Sequence, residues 1–557
     1  MNNDKILNHL KMIYGNEVAN KYNKRFLEKV EQLSEYKGNC NREFDENDAI
    51  MITYGDSISG ISGLSKIDIL TSFTKKYLDS AINTLHILPC FPYTSDDGFS
   101  IVDYKKINPD LGSWDDIEVL TQNYKLMLDL VANHVSKSSY WFSEFLKGNE
   151  KYKEYFIICD STLDYSSVVR PRSLPLLTEV QTVDGNQIVW TTFSEDQIDL
   201  NYKNPEVLLE IIDVLIEYVK HGASIIRLDA IAFIWKEIGS SCLHLPQTHE
   251  IIKLIRTMID SANVDVKIVT ETNVPHSDNI SYFGNGYDEA SMVYNFPLPP
   301  LTLYTFLKGD ATVIKNWANN LTLPSDKVTF FNFLASHDGI GLNPAKGLID
   351  NEEILQIAKI VEKNDGFISY KNNSDGTTSP YEMNINYLDA LKVAGNVDED
   401  LEAKRFIASQ SIILALKGVP GIYIHSLIGS RNYVEGVKEK GTPRTINREK
   451  LDIYQLIKEL NNPSSLRYKI LKAYKELLIL RKNNKCFSPK ANQEILMNTD
   501  SRIFGLKRSI DREEVICLTN ISNNEVEISL NLDGYTTITK DSFNGKVAPY
   551  QVVWLKK

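Results

Sequence analysis

Apolar positions recur at helical spacing through the first part of the chain: Ile6, Leu7, Leu10 and Ile13, then Val18, Tyr22, Phe26, Val30 and Leu33. Steps of three and four residues put one apolar stripe on a helix, so a helical extension is predicted over residues 1–48. From Ala49 the pattern changes to short apolar runs over residues 50–54, 84–88, 126–131, 224–228, 267–270, 292–296, 329–334 and 421–424. These runs are rich in Ile, Leu, Val, Phe and Tyr, as strands buried on both faces are. Helix-like stretches lie between them, for example over 206–220 and 248–261. Strands that alternate with helices in this way predict the α/β class and a (β/α)8 TIM barrel.

Two gaps are too long for a simple strand–helix unit. About ninety residues separate Asn133 from Ser224, and about eighty separate Asp338 from Gly421; in a barrel, insertions of that size belong on the face carrying the strand C-termini. The predicted organisation is a barrel over 49–135, 199–338 and 401–483, with an inserted domain over 136–198 after the third strand. A second insertion covers 339–400 after the seventh strand. Its polar stretch from Lys371 to Pro380 reads as a mobile loop. Alternating segments over 514–519, 526–532 and 552–555 predict a small all-β C-terminal domain over 484–557.

Composition narrows the function classes. A formal net charge of −12 lacks the basic footprint that a nucleic acid or an anionic membrane requires. No apolar run reaches the length of a membrane span, and the N-terminus lacks the pattern of a signal peptide. The six cysteines Cys40, Cys90, Cys159, Cys242, Cys486 and Cys517 show no C-x-x-C spacing and read as reduced thiols. The chain therefore reads as cytoplasmic, with small-molecule partners, no nucleic acid and no membrane. A homodimer is kept as an assembly to test.

Four candidate strands end in polar clusters. The third runs into Asp129-Leu-Val-Ala-Asn133-His134, the fourth ends Arg227-Leu-Asp229, the fifth Thr270-Glu271-Thr272, and the seventh Ser336-His337-Asp338. One such aspartate can be a helix cap. Four clusters at successive strand ends point instead to the face where barrels carry their chemistry. Glycoside transfer with retention needs one carboxylate to attack the anomeric carbon and a second to protonate the departing oxygen. Asp229 stands two residues after Arg227, so both side chains leave the strand on the same side, and the guanidinium can keep the carboxylate ionised. Asp229 is thus the candidate nucleophile, Glu271 the acid/base and Asp338 a third carboxylate that holds sugar hydroxyls.

These motifs, D-x-x-x-N-H, R-x-D, the glutamate after the fifth strand and H-D, resemble glycoside hydrolase family 13, the α-amylase family, over roughly 50–481. Ile52-Thr-Tyr54-Gly-Asp56, Asp110-Leu-Gly-Ser-Trp-Asp-Asp116, Arg170-Pro-Arg172 and Ile446-Asn447-Arg448 are similar to its sucrose phosphorylase group. The resemblance implies a closed glucosyl subsite from Asp96, Phe99, His134, Arg227, His337 and Arg448, in which Asp96 and Arg448 clamp sugar hydroxyls and Phe99 forms part of an apolar platform. It places Arg172 and Tyr381 at the acceptor side. It also implies a double displacement in which phosphate replaces water, giving α-glucose 1-phosphate without a cofactor or metal.

Leu243-His-Leu-Pro-Gln-Thr-His249 and Glu271-Thr-Asn-Val-Pro-His276 depart from the sucrose-specific pattern. They look more like phosphorylases that act on 2-O-α-glucosylglycerate. Glu382, in Pro380-Tyr381-Glu382-Met383, stands where sucrose-type enzymes usually have Gln. An anionic glycerate would tolerate it only if Arg172, His249 or His276 offset its charge. Sucrose, glucosylglycerol and sucrose 6-phosphate phosphorolysis, and α-glucoside hydrolysis, remain the alternatives.

Overall fold

The computed structural model describes residues 2–36, 43–171, 174–372, 377–392 and 398–557. Eight strands close a parallel barrel: β1 (Ile50–Thr53), β2 (Thr84–Ile87), β3 (Lys125–Val131), β4 (Ala223–Asp229), β5 (Lys267–Thr270), β6 (Met292–Tyr294), β7 (Thr329–Phe333) and β8 (Val419–Tyr423). Each pairs with the next in chain order, and β8 returns to β1 with Ile50 opposite Gly421. All eight expected runs are present, their ends moved by one or two residues. The interior is tightly filled: a Cβ on Gly421 would collide with the Phe331 ring. The strands sit at near-zero exposure on both faces, which is why they read as unbroken apolar runs rather than as alternation.

The outer helices follow ordinary end chemistry. Helix Pro205–Lys220 opens on an Asn204 side chain that accepts from the Glu206 amide at 3.0 Å, with proline in the first turn. Helix Pro246–Ala262 ends on Asn263 in the left-handed region, at φ 55°. Helices Asn2–Tyr14 and Asn16–Leu33 pack on these two outer helices, and bury Ile6, Leu10, Phe26 and Leu33.

After β3, His134–Ser136 pairs with Gln197–Asp199, and a hairpin of Leu177–Thr182 and Gly185–Trp190 lies between them. After β7 come the strand Ile340–Gly341, the helix Asn351–Lys363 and a hairpin of Phe367–Asn372 and Thr378–Asn384. The expectation of a loop from Lys371 to Pro380 is corrected here. Lys371 pairs with Ser379 and Tyr370 with Pro380, so both flanks are strand; residues 373–376 lie outside the described residues. Polar side chains hid a ladder formed by backbone groups. At the C-terminus, Asn492–Ile495, Ile503–Ile510, Glu513–Asn520, Val552–Lys556 and Thr536–Thr537 form one sheet. The run expected over 526–532 is strand only at Val526–Glu527. Cys90, Cys159, Cys242, Cys486 and Cys517 are free and buried, and Cys40 lies outside the described residues.

Candidate active site

The barrel strands deliver their polar ends to one cavity of about 490 Å³, a volume ordinary for a small-ligand site. Asp229 closes β4, Glu271 follows β5 directly, and Asp338 lies in the loop after β7. All three line the cavity, together with Asp96, Phe99, His134, Arg227, His337 and Tyr381. Arg172 lies outside the described residues.

Arg227 organises the floor. Its Nη1 donates to Asp129 and, at 2.6 Å, to Asp229 Oδ1; its Nε donates to the Tyr294 hydroxyl at 3.1 Å. Nη2 lies 3.9 Å from Glu271 Oε2. The guanidinium also stands 5.8 Å and 5.5 Å from the ring centres of Phe99 and Tyr294, within cation–π range. Burial alone would raise the Asp129 carboxyl, but Arg227 and His86 (2.7 Å away) outweigh it and hold it below its usual value. The Asp229 and Glu271 carboxyls are both raised from their usual values, because burial desolvates their charged forms more than Arg227 offsets. The nearby Glu271 charge raises Asp229 further, and the Asp338 charge raises Glu271. With Arg227 at 2.6 Å from one and 3.9 Å from the other, the shared negative charge belongs on Asp229 and the proton on Glu271. Ala230, in the left-handed region at φ 49°, turns its amide onto Glu271 Oε2 at 3.2 Å.

The opposite wall is equally constrained. Asp96 and Asp97 take φ of 54° and 47°, a conformation that costs a non-glycine residue energy and often marks functional loops. Phe99 stacks on His337 with centres 4.8 Å apart. Burial pushes the His337 imidazole down to about 3, so it stays neutral. His134 donates from Nε2 to the Phe99 carbonyl at 2.9 Å, while Asn133 Nδ2 approaches its Nδ1 at 3.2 Å; burial depresses its pKa as well. Behind it the buried Lys236 ammonium donates at 2.6 Å to both Asn133 Oδ1 and Asp199.

Three placements differ from expectation. Arg448, expected to clamp sugar hydroxyls, stands behind the cavity wall, because its Nε donates to the His337 carbonyl at 2.8 Å and its Nη1 to Asp97 at 2.7 Å. It braces the wall that Asp96 and His337 form. His249 pairs with Glu289 at 2.9 Å, and His276 stacks near Phe330; neither reaches Glu382. The offset comes from Arg444, which sequence reasoning missed. Its Nε and Nη2 donate to the two Glu382 oxygens at 3.0 and 2.7 Å, and its Nη1 meets Asp338 Oδ1 at 2.5 Å. Burial would raise Asp338, yet Arg444, His337 and Arg448 together drive it far below the carboxylate range. Arg444 lies in the short turn Pro443–Asn447, four residues before Arg448. That spacing, which puts two side chains on one side of a helical turn, was the one available signal.

A closed parallel barrel with a buried carboxylate trio at its strand ends defines a glycoside-transforming enzyme of the α-amylase type. Residues 73–340 match the model of the α-amylase catalytic domain. A glucosylglycerate phosphorylase of Allomeiothermus silvanus is 45% identical, with the match covering 99% of this chain and 98% of the relative. A second, of Escherichia coli K12, is 42% identical over 99% and 100% of the two chains. The crystal structure of sucrose 6F-phosphate phosphorylase from Thermoanaerobacter thermosaccharolyticum shares the fold, with a TM-score of 0.75 at 24% identity over 87% of this chain and 96% of that one. The chain belongs to the α-amylase family, and within it to the family of the glucosylglycerate phosphorylases.

Proposed function

We propose that the protein is a retaining glucosyl phosphorylase that converts 2-O-α-D-glucosyl-D-glycerate and phosphate into α-D-glucose 1-phosphate and D-glycerate. The observation that carries this reading is identity of more than 40% across the whole chain to two such enzymes, joined to a cavity that presents Asp229, Glu271 and Asp338 together. In the first step an Asp229 oxygen attacks the anomeric carbon while Glu271 protonates the departing glycerate oxygen, leaving a β-glucosyl ester. In the second, a phosphate oxygen attacks the same carbon, its proton passes to Glu271, and Asp229 departs as a carboxylate. Two inversions give net retention. Asp338, held ionised by Arg444, supports positive charge developing on the sugar ring and accepts from its hydroxyls.

Arg444 also makes glycerate an acceptable leaving group. Glu382 alone would repel the glycerate carboxylate, but its bidentate partner cancels that charge. Asp96, Phe99, His134, Arg227 and His337 enclose the glucosyl ring in this reading, Tyr381 faces the acceptor, and Arg448 fixes the wall behind. Buried free thiols agree with a reducing compartment, the cytoplasm, and no helix among the described residues is long and apolar enough to cross a membrane.

The test is reverse phosphorolysis with α-glucose 1-phosphate and D-glycerate, fructose, glycerol, fructose 6-phosphate or glucose as acceptors. Phosphate release with D-glycerate well above the others is expected. Release with fructose instead would make the acceptor sucrose-like, and release with none above water would replace transfer by hydrolysis.

A further inference from the structure

One polar group in the cavity wall is buried at a cost and has no part in the two displacement steps. Asn273 lines the cavity two residues after Glu271, so the two Cα atoms are at most about 7 Å apart. Its Oδ1 is sealed from solvent and has no hydrogen-bond partner among the described residues. A buried polar atom left that way costs free energy, so stability does not account for it. With Oδ1 turned inward, the Nδ2 end is the one left to face the cavity. The segment itself is anchored: Thr272 Oγ1 donates to Asn279 Oδ1 at 2.7 Å, and Asn279 Nδ2 donates to the Tyr294 carbonyl at 2.7 Å. The amide rests against Gly341, where an added Cβ would stand 2.8 Å from Nδ2 and 2.9 Å from Oδ1; a glycine is what permits that approach. Gly341 lies opposite Glu382 in the antiparallel ladder. Opposed residues point to one face, and on that face Arg444 holds Glu382.

In the proposed reaction the acceptor is an anion in both directions, phosphate one way and glycerate the other. Among the described residues that line the cavity, the two guanidiniums are each shared by two carboxylates. Arg227 meets Asp129 and Asp229, and Arg444 meets Glu382 and Asp338. Neither has net positive charge to spare, so an incoming oxyanion gains from an uncharged N–H donor beside them. A carboxamide supplies that donor and brings no charge that would need a partner of its own. We propose that Asn273 is a specificity-determining residue for the acceptor, its Nδ2 donating to an oxyanion oxygen of phosphate or of the glycerate carboxylate while Glu271 exchanges the proton. This role rests on the phosphorolysis reading, because only that reaction brings these anions to the cavity.

The experiment uses the full chain with α-glucosyl fluoride as donor, and inorganic phosphate, D-glycerate or water as acceptor. All the products arise from one β-glucosyl ester, so the ratio of transfer to hydrolysis reports the acceptor and not the first displacement. Asn273→Ala removes the donor and should lower that ratio roughly ten- to hundredfold at subsaturating anion, as loss of a hydrogen bond to a charged group does. Asn273→Asp, of the same shape but acidic, should lower it at least as far. Gly341→Ala keeps the amide but crowds it with a methyl group, and should lower the ratio by less. A fall with phosphate alone assigns the amide to the phosphate oxygens; a fall with D-glycerate alone assigns it to the carboxylate. Native ratios for both anions in Asn273→Ala overturn the proposal. If Asn273→Asp does not fold, Asn273→Ala and Gly341→Ala carry the same test. Hydrolysis alone by the native chain, whichever anion is present, means that the phosphorolysis reading has failed and this role with it. Native transfer that the variants match is a failure confined to Asn273, and the two failures are thereby distinguished.

Discussion

A single guanidinium decides how the central carboxylates share charge. Arg227 is bonded to Asp229 at 2.6 Å and only approaches Glu271, at 3.9 Å, so the two cannot exchange roles without moving it. Asp229→Asn keeps the shape but cannot form a stable ester, and turnover should fall by roughly a thousandfold or more on every glucosyl donor. Retention of activity near the native rate would remove Asp229 from the nucleophile's position. Glu271→Gln should lose on the order of 10²–10⁴ with glucosylglycerate, where the leaving oxygen needs a proton. It should lose far less with α-glucosyl fluoride, whose leaving group needs little help, and an equal loss on both donors would exclude the acid role. The pH profile carries the same assignment. Burial first, and then the charge of Asp338, raise the Glu271 pKa, which extends its protonated, active form upward in pH. Activity should therefore fall as pH rises through that value, and this alkaline limb of kcat/KM should be absent in Glu271→Gln assayed with the fluoride.

The turn Pro443–Asn447, the strand Thr378–Asn384 and the loop after β7 are tied together by Arg444. Removing one member of a buried ion pair costs about 3–5 kcal/mol, because the other charge is left desolvated and alone. Arg444→Met should therefore lower the unfolding temperature more than Glu382→Gln does, and the double variant should be more stable than Arg444→Met by itself. Additive losses in a calorimetric double-mutant cycle would mean that the pairing holds nothing together. The contrast with the barrel shows what a sequence displays. The eight strands were legible because burial on both faces demands continuous apolar runs, and Asp229, Glu271 and Asp338 were legible because they end those runs. Arg444 was not, since its partner Glu382 is 62 positions away on a hairpin and no periodicity links a turn to a strand. The hairpin itself was concealed for a related reason. Lys371, Thr378 and Ser379 are polar, and backbone pairing rather than side-chain burial makes them strand. Arg448 was found, but not its position behind the wall, because its bond to Asp97 depends on the left-handed turn at Asp96 and Asp97.

Across the whole molecule, the least expected load falls on the first two helices. They lie far from the cavity in sequence, yet Asn2–Tyr14 and Asn16–Leu33 cover the outer helices Pro205–Lys220 and Pro246–Ala262. The covered helices flank β4, the strand that ends at Asp229, and the second of them leads into β5 and Glu271. Polar contacts fix the orientation: Arg25 pairs with Glu206, Lys29 with Asp213 at 2.7 Å, and His9 with Glu250 at 2.8 Å. Exposed ion pairs contribute little, about 0–1 kcal/mol each. Most of the attachment comes from burying Ile6, Leu10, Ile13, Phe26 and Leu33, at roughly 1.5–3 kcal/mol per side chain before ordering costs. That gross sum rivals the net stability of an ordinary domain, about 5–15 kcal/mol. Deleting residues 1–36 should therefore lower the unfolding temperature substantially and expose an apolar surface that promotes aggregation. Breaking the three polar pairs by Arg25→Ala, Lys29→Ala and His9→Ala in the full chain should shift it by no more than a few degrees. An unfolding temperature unchanged by the deletion would make the helices an appendage. A drop as large from the triple alanine variant would mean that polar contacts, not apolar burial, hold them to the barrel.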